Sequence, residues 1–231
     1  MNLLDTTGVA FHLLFSGDAE LWHIVFISLK VAILGLLLAV VPGIVLGYVL
    51  AIKRFPGRRV LVVAVQSLLA FPTVVVGLVL YMLLSRQGPA GSLGLLFTQD
   101  AMILGQAVLA FPILVAYTLS AVQGADPRAY ETAVCLGAGP LRAALTTLNE
   151  TRFAVMAGVI NGFGRAISEV GCALMIGGNI AGLTRNITTA IALETSKGEF
   201  AQGIALGMVL VVLALGVNVA MAILQGEGGM K

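Results

Sequence analysis

Five long apolar runs, at residues 31–52, 60–84, 101–122, 153–176 and 203–224, constrain this chain more than any motif within it. Each reaches the roughly 20 residues that an α-helix needs to cross the hydrocarbon of a bilayer. Apolar residues make up 59% of the 231 and charged residues only 10%, too little polarity to clothe a soluble globule of this size. The shorter alternating segments of a transmembrane β-barrel are not required to explain such runs. The expected fold is an all-α integral membrane protein with about five transmembrane helices, forming one transmembrane domain over residues 1–231.

Pro42, Pro72 and Pro112 fall inside the first three runs. Proline breaks a soluble helix, but in a membrane bundle neighbouring groups can satisfy the freed carbonyl. All three are therefore expected to kink their spans rather than end them.

Basic residues set the direction of insertion, because cytoplasmic loops near the spans carry the Lys/Arg excess. Lys53, Arg54, Arg58 and Arg59 crowd the first loop. With that loop inside, the N-terminus is outside, and Arg128, Arg142, Arg152 and Lys231 are cytoplasmic. Lys30, Arg86, Arg185 and Lys197 fall outside, and Arg165 lies within a span. The first 29 residues hold neither Lys nor Arg, so the basic start of a cleaved signal peptide is missing and the first span is expected to insert as its own signal. Residues 21–29, with Trp22 and His23, read either as an upward extension of the first helix or as a segment along the outer interface. Cys135 is expected in a cytoplasmic loop and Cys172 in a span, both as free thiols.

Between the third and fourth runs lies a charged, glycine-punctuated island. Asp126-Pro127 suits a helix start, the carboxylate capping exposed amides and the proline occupying the first helical position. Residues 128–136 are helix-compatible, Gly137-Ala138-Gly139 interrupts, and Pro140 can open a second helix that leads into the fourth span. The plain reading is a solvated connection. Glu131-Thr132-Ala133 followed by Gly137 at the sixth place after the glutamate points further.

That spacing resembles the cytoplasmic signature of permease subunits of bacterial ATP-binding-cassette importers, which is Glu-Ala-Ala, three residues, Gly, nine residues, Ile-x-Leu-Pro. Thr147-Leu148-Asn149-Glu150 stands here in place of the signature's tail. A second stretch narrows the resemblance. Gly164-Arg165-Ala166-Ile167-Ser168-Glu169-Val170-Gly171, then Gly177-Gly178-Asn179-Ile180 and residues 184–191, are similar to molybdate, tungstate and sulfate permeases. With Leu193-Glu194-Thr195-Ser196-Lys197-Gly198 included, the chain is most similar to the tungstate (TupB-type) permeases.

The resemblance implies a type I importer-like fold in the cytoplasmic (inner) membrane of a bacterium or archaeon. The chain would be a multi-pass, non-enzymatic subunit moving tungstate or a similar oxyanion, with molybdate or sulfate as alternatives. It implies a homodimer, two cytoplasmic ATPase subunits that carry the ATP and Mg, and an extracytoplasmic oxyanion-binding protein, with no cofactor on this chain. Tyr130, Glu131, Thr132, Ala133, Leu136 and Gly137 would contact the ATPase and couple it to the spans.

Arg165 and Glu169 are four residues apart and can pair on one helix face. Charges within spans usually face a bundle interior or an aqueous path, so the pair reads either as a structural lock or as support for a gate. Arg165, Ser168, Glu169, Gly177, Gly178 and Asn179 are the candidate path or gate residues. Gly158, Gly162, Gly164 and Gly171 fit close helix contact or bending. A hydrated dianion would use amides, hydroxyls and an occasional cation, which Ser168, Asn179, Thr184, Arg185, Thr188 and Thr189 offer.

No G-x-x-x-x-G-K-[ST] phosphate loop occurs in the chain, so ATP must be handled elsewhere. His12 and His23 lack nearby ligands at metal spacing and read as interfacial. A net charge of +2, with basic residues at span borders, disfavours nucleic acid. An intramembrane enzyme would need converging catalytic groups, and Ser168 beside a single Glu169 is a poor match. A channel would have no use for a docking helix.

Overall fold

The computed structural model describes residues 9, 11–12 and 15–225, and every regular element within them is helical. Lys231 lies outside the described residues.

Helix α1 (Ala19–Ile52) starts at Asp18, whose carboxylate accepts the Leu21 N–H at 2.9 Å, and runs through Pro42 without a break. Of the two readings for residues 21–29, the upward extension of the first helix is the one observed. The 34 residues make a rod about 51 Å long, longer than the hydrocarbon is thick. Helix α4 (Gln99–Gln123) is likewise continuous through Pro112.

Pro72 behaves differently. The second run is split into α2 (Arg58–Leu69) and α3 (Thr73–Leu84), which meet at 104°. Proline cannot donate a backbone hydrogen bond, and it forces the preceding residue, Phe71, out of helical geometry. The helix stops at Leu69, and the expected kink at Pro72 is a full break.

The island forms α5 (Pro127–Cys135) and α6 (Pro140–Glu150), as the caps and glycines predict. The fourth run is also divided, into α7 (Arg152–Ile167) and α8 (Gly171–Gly177), bent by 58°. Glu169 therefore lies beyond the end of α7 and does not share a continuous helix with Arg165. Helix α9 (Ile187–Lys197) has no counterpart among the expected elements. It begins with a reciprocal cap between Asn186 and Thr189. Helix α10 (Phe200–Gln225) completes the described chain. Helices α1, α4 and α10 are each long and apolar enough to cross a membrane, and the two bent pairs raise the number of spans to as many as five.

Packing centres on α1 against α4. A methyl group added at Gly35, Gly43 or Gly47 would sit 2.5 Å from the Gln106 Cβ, 2.7 Å from the Leu114 Cβ or 2.7 Å from the Thr118 Cβ. Small residues let the two backbones approach where hydrophobic driving force between helices is absent. Leu36, Ala39, Ala110 and Leu114 extend this seam to Phe163 and Ile167 of α7. A second close contact joins the short half-helices: a methyl at Gly77 of α3 would lie 2.8 Å from the Cys172 Cα of α8, and one at Gly171 would lie 2.5 Å from a Val74 methyl. The two breaks are thus neighbours in space.

Candidate coupling element and membrane groove

Apart from Arg165 and Glu169 at the α7–α8 break, polar clusters gather at two places remote from each other along α1. At one end, Arg54, Gln123, Asp126, Tyr130, Glu131 and Thr147 line a cavity of 450 Å³ where α1 and α4 meet α5. At the other, the Lys30 ammonium donates to Gln99 at 2.8 Å, Gln99 donates to the Leu183 carbonyl at 2.7 Å, and Arg185 pairs with Glu20 at 3.4 Å.

Asp126 accepts the Arg128 N–H at 3.0 Å and pairs with its guanidinium at 2.7 Å. The Arg128 side chain, followed by its backbone amide, holds the exposed Asp126 carboxyl below its usual range. Helix α5 ends at a glycine stop: Gly137 adopts φ +84°, and the Ala138 N–H returns to the Ala133 carbonyl at 2.9 Å. Ala133 is buried against α6, which leaves Glu131, Thr132, Val134 and Cys135 exposed and Leu136 83% exposed. Tyr130 is half-buried on the cavity side. Ala133 is the one buried residue of the short helix, which presents a mixed acidic and apolar surface outward.

At the position of the divergent tail, residues 147–150 continue α6, with Thr147 buried and its hydroxyl donating to the Ala143 carbonyl at 3.1 Å. Only Thr151 separates α6 from α7. Without a proline there, the second island helix runs almost directly into the membrane segment.

Arg165, Ser168 and Glu169 come together at the α7–α8 break. The Arg165 guanidinium lies 3.8 Å from the Glu169 carboxylate, its side chain 45% exposed while that of Glu169 is 3% exposed. Glu169 accepts the Cys172 N–H at 3.0 Å, and so caps α8, while Thr188 of α9 donates to the Glu169 carbonyl at 2.6 Å. The exposed Ser168 hydroxyl donates to the Gly164 carbonyl at 2.7 Å. This is an arrangement that stabilises a bend, with no base placed to activate the serine.

Gly177, Gly178 and Asn179 form a separate cluster, one seven-residue helix away, about 10 Å along its axis. Gly178 (φ +70°) and Asn179 (φ +51°) make consecutive left-handed turns, and the Thr184 hydroxyl donates to the Gly177 carbonyl at 2.6 Å. Asn179 donates to the Thr189 carbonyl at 3.3 Å. Thr184, Thr188 and Thr189 are buried and bonded to backbone, so the hydroxyls proposed for an anion instead hold the loop. Cys135 is exposed and Cys172 buried, and both are free.

A feature that sequence reasoning did not assemble is a groove of 430 Å³ lined by Tyr117, Asn161, Gly164, Arg165 and Asn218, with the end of α2 at Leu69. The available signal was the pair of asparagines inside otherwise apolar runs.

Over residues 43–226 the sequence matches the family described as the binding-protein-dependent transport system inner membrane component. The chain belongs to that family. As a permease it is a non-enzymatic transporter subunit of the inner membrane, with the expected type I importer fold of membrane spans around a surface helix pair. The permease is 42% identical over 216 residues to the tungstate uptake system permease protein TupB of Campylobacter jejuni, covering 94% of this chain and 90% of that one. It is 38% identical over 218 residues to TupB of Peptoclostridium acidaminophilum, covering 94% and 96%. The molybdenum transport system permease protein ModB of Escherichia coli is 32% identical over 188 residues, covering 77% and 82%.

Proposed function

We propose that this permease moves tungstate, or a closely similar oxyanion, into the cell as one of two identical copies enclosing the path. Two ATPase subunits, holding ATP and Mg, dock on the cytoplasmic face, and an extracytoplasmic binding protein delivers the anion. Higher identity over more of the chain to the tungstate permeases than to the molybdenum permease supports the choice of anion. The chain is oriented with its N-terminus outside and its C-terminus inside, since Arg54 shares an end with α5 while Lys30 and Arg185 share the opposite one.

The observation that carries the coupling role is the protruding α5, with Glu131, Thr132 and Leu136 outward, Ala133 and the Gly137 turn fixing it, and Tyr130 against the ends of α1 and α4. Closure of the ATPase moves this helix and, through α4, the spans, stabilising one of two facings of the path. Arg165, Ser168 and Glu169 serve the path at the bend, and Gly177, Gly178 and Asn179 serve its outer gate.

Glu131→Arg reverses the charge at the centre of the docking surface. ATPase co-purification and tungstate uptake are each expected to fall at least tenfold while the permease itself stays folded. Normal association and uptake by this variant would refute the coupling assignment.

A further inference from the structure

We infer that the groove between α2, α4, α7 and α10 is a transient binding site for a tetrahedral oxyanion dianion, with Arg165 as its cation and Asn161, Asn218 and Tyr117 as neutral hydrogen-bonding walls. The inference rests on the transport reading and joins Arg165 of one candidate cluster to Tyr117, Asn161 and Asn218, which lie outside both.

Arg165 stands about midway along the 152–177 stretch that makes the fourth span. Its guanidinium makes no hydrogen bond among the described residues, and its nearest counter-charge is Glu169 at 3.8 Å. Five N–H donors left without partners at membrane depth are incompatible with a lipid-facing surface and mark a protein-lined or water-filled space. Asn161 and Asn218 enter that space from two different helices. Each amide nitrogen gives one hydrogen to the carbonyl four residues back, at 2.9 Å to Ala157 and 2.8 Å to Ala214. The second amide hydrogen of each remains available in a groove that also holds Tyr117.

The groove is therefore rich in donors, and none of the described residues lining it carries a carboxylate. A forked guanidinium matches the oxygen geometry of a tetrahedral anion, and two amides and a phenol replace part of its hydration shell. Glu169 sits just behind Arg165 and offsets part of its charge. A conducting site must hold its ion weakly enough to release it, and this buried counter-charge supplies that weakness.

The test uses the complete importer, with ATPase and binding protein, in proteoliposomes supplied with tungstate, molybdate or sulfate. The Asn161→Leu/Asn218→Leu double variant is expected to move at least tenfold less anion per ATP hydrolysed. Asn161→Ser/Asn218→Ser, which keeps hydroxyl donors, is expected to recover most of that ratio and also decides the matter if the leucine pair fails to assemble. Independently, Asn218→Cys, in a chain with Cys135 and Cys172 replaced, is expected to react faster with an anionic sulfonate thiol reagent than with a cationic one, and tungstate should slow that reaction. An unchanged ratio in the leucine pair, or no anionic preference at position 218, overturns the site. Failure of the unsubstituted importer to take up any of the three anions overturns the transport reading instead.

Discussion

The two broken spans reach similar shapes by opposite means. Between α2 and α3 the chain turns through 104° at Pro72, a break written into covalent structure. Between α7 and α8 the turn is 58° and contains no proline. It persists because the Glu169 side chain caps α8 and Thr188 satisfies the buried Glu169 carbonyl. One bend belongs to its own proline, the other to hydrogen bonds, one of them from a partner on another helix. The half-helices that leave these bends then meet at Gly77 and Gly171, so a locally fixed element braces a contact-dependent one.

Forcing the two apart should produce the largest effect. Gly77→Leu places a side chain against the Cys172 backbone, 2.8 Å from where its Cβ would stand; overpacking of this kind costs about 3 kcal/mol. A lowered midpoint of denaturant unfolding in detergent, together with loss of uptake, is the expected outcome, and wild-type stability would mean that the half-helices are not braced. Glu169→Ala attacks the contact-dependent bend alone. Removing a charged acceptor from the Cys172 amide costs about 2 kcal/mol, measurable by the same unfolding titration. Glu169→Gln keeps an acceptor oxygen and should lose less than half as much. Pro72→Ala is the mildest in stability, with a change below about 1 kcal/mol. Restoring the amide lets α2 continue towards α3, so paired spin labels at the exposed Val60 and Met82 should move apart. Unchanged label distances would show that packing, and not proline, holds the first bend.

Much of the fold was legible because its signals are local. The five apolar runs give the spans, Asp126-Pro127 starts α5, and Gly137 stops it, each through the chemistry of adjacent residues. Pro72 was misjudged because the same residue type is carried within α1 at Pro42 and within α4 at Pro112, and only the neighbours decide between kink and break. The α7–α8 bend and α9 were hidden for a related reason: Glu169 does pair with Arg165 as the spacing suggests, but the Thr188 hydroxyl that donates to the Glu169 carbonyl comes from nineteen residues further on. In the candidate site, the exposed face of α5 could be read from spacing. The grouping of Asn161, Arg165 and Asn218 could not, since it joins residues more than fifty positions apart.

The glycine seam between α1 and α4 has a mechanical consequence. With no room for even a methyl group at Gly35, Gly43 or Gly47, the two longest buried rods cannot slide past one another without their backbones colliding. They form a single beam, and along the chain only Gly124, Ala125 and Asp126 separate its end from α5. A load placed on one end of such a beam is carried along its whole length. The beam also offers a reference frame, against which displacement of any other helix can be gauged.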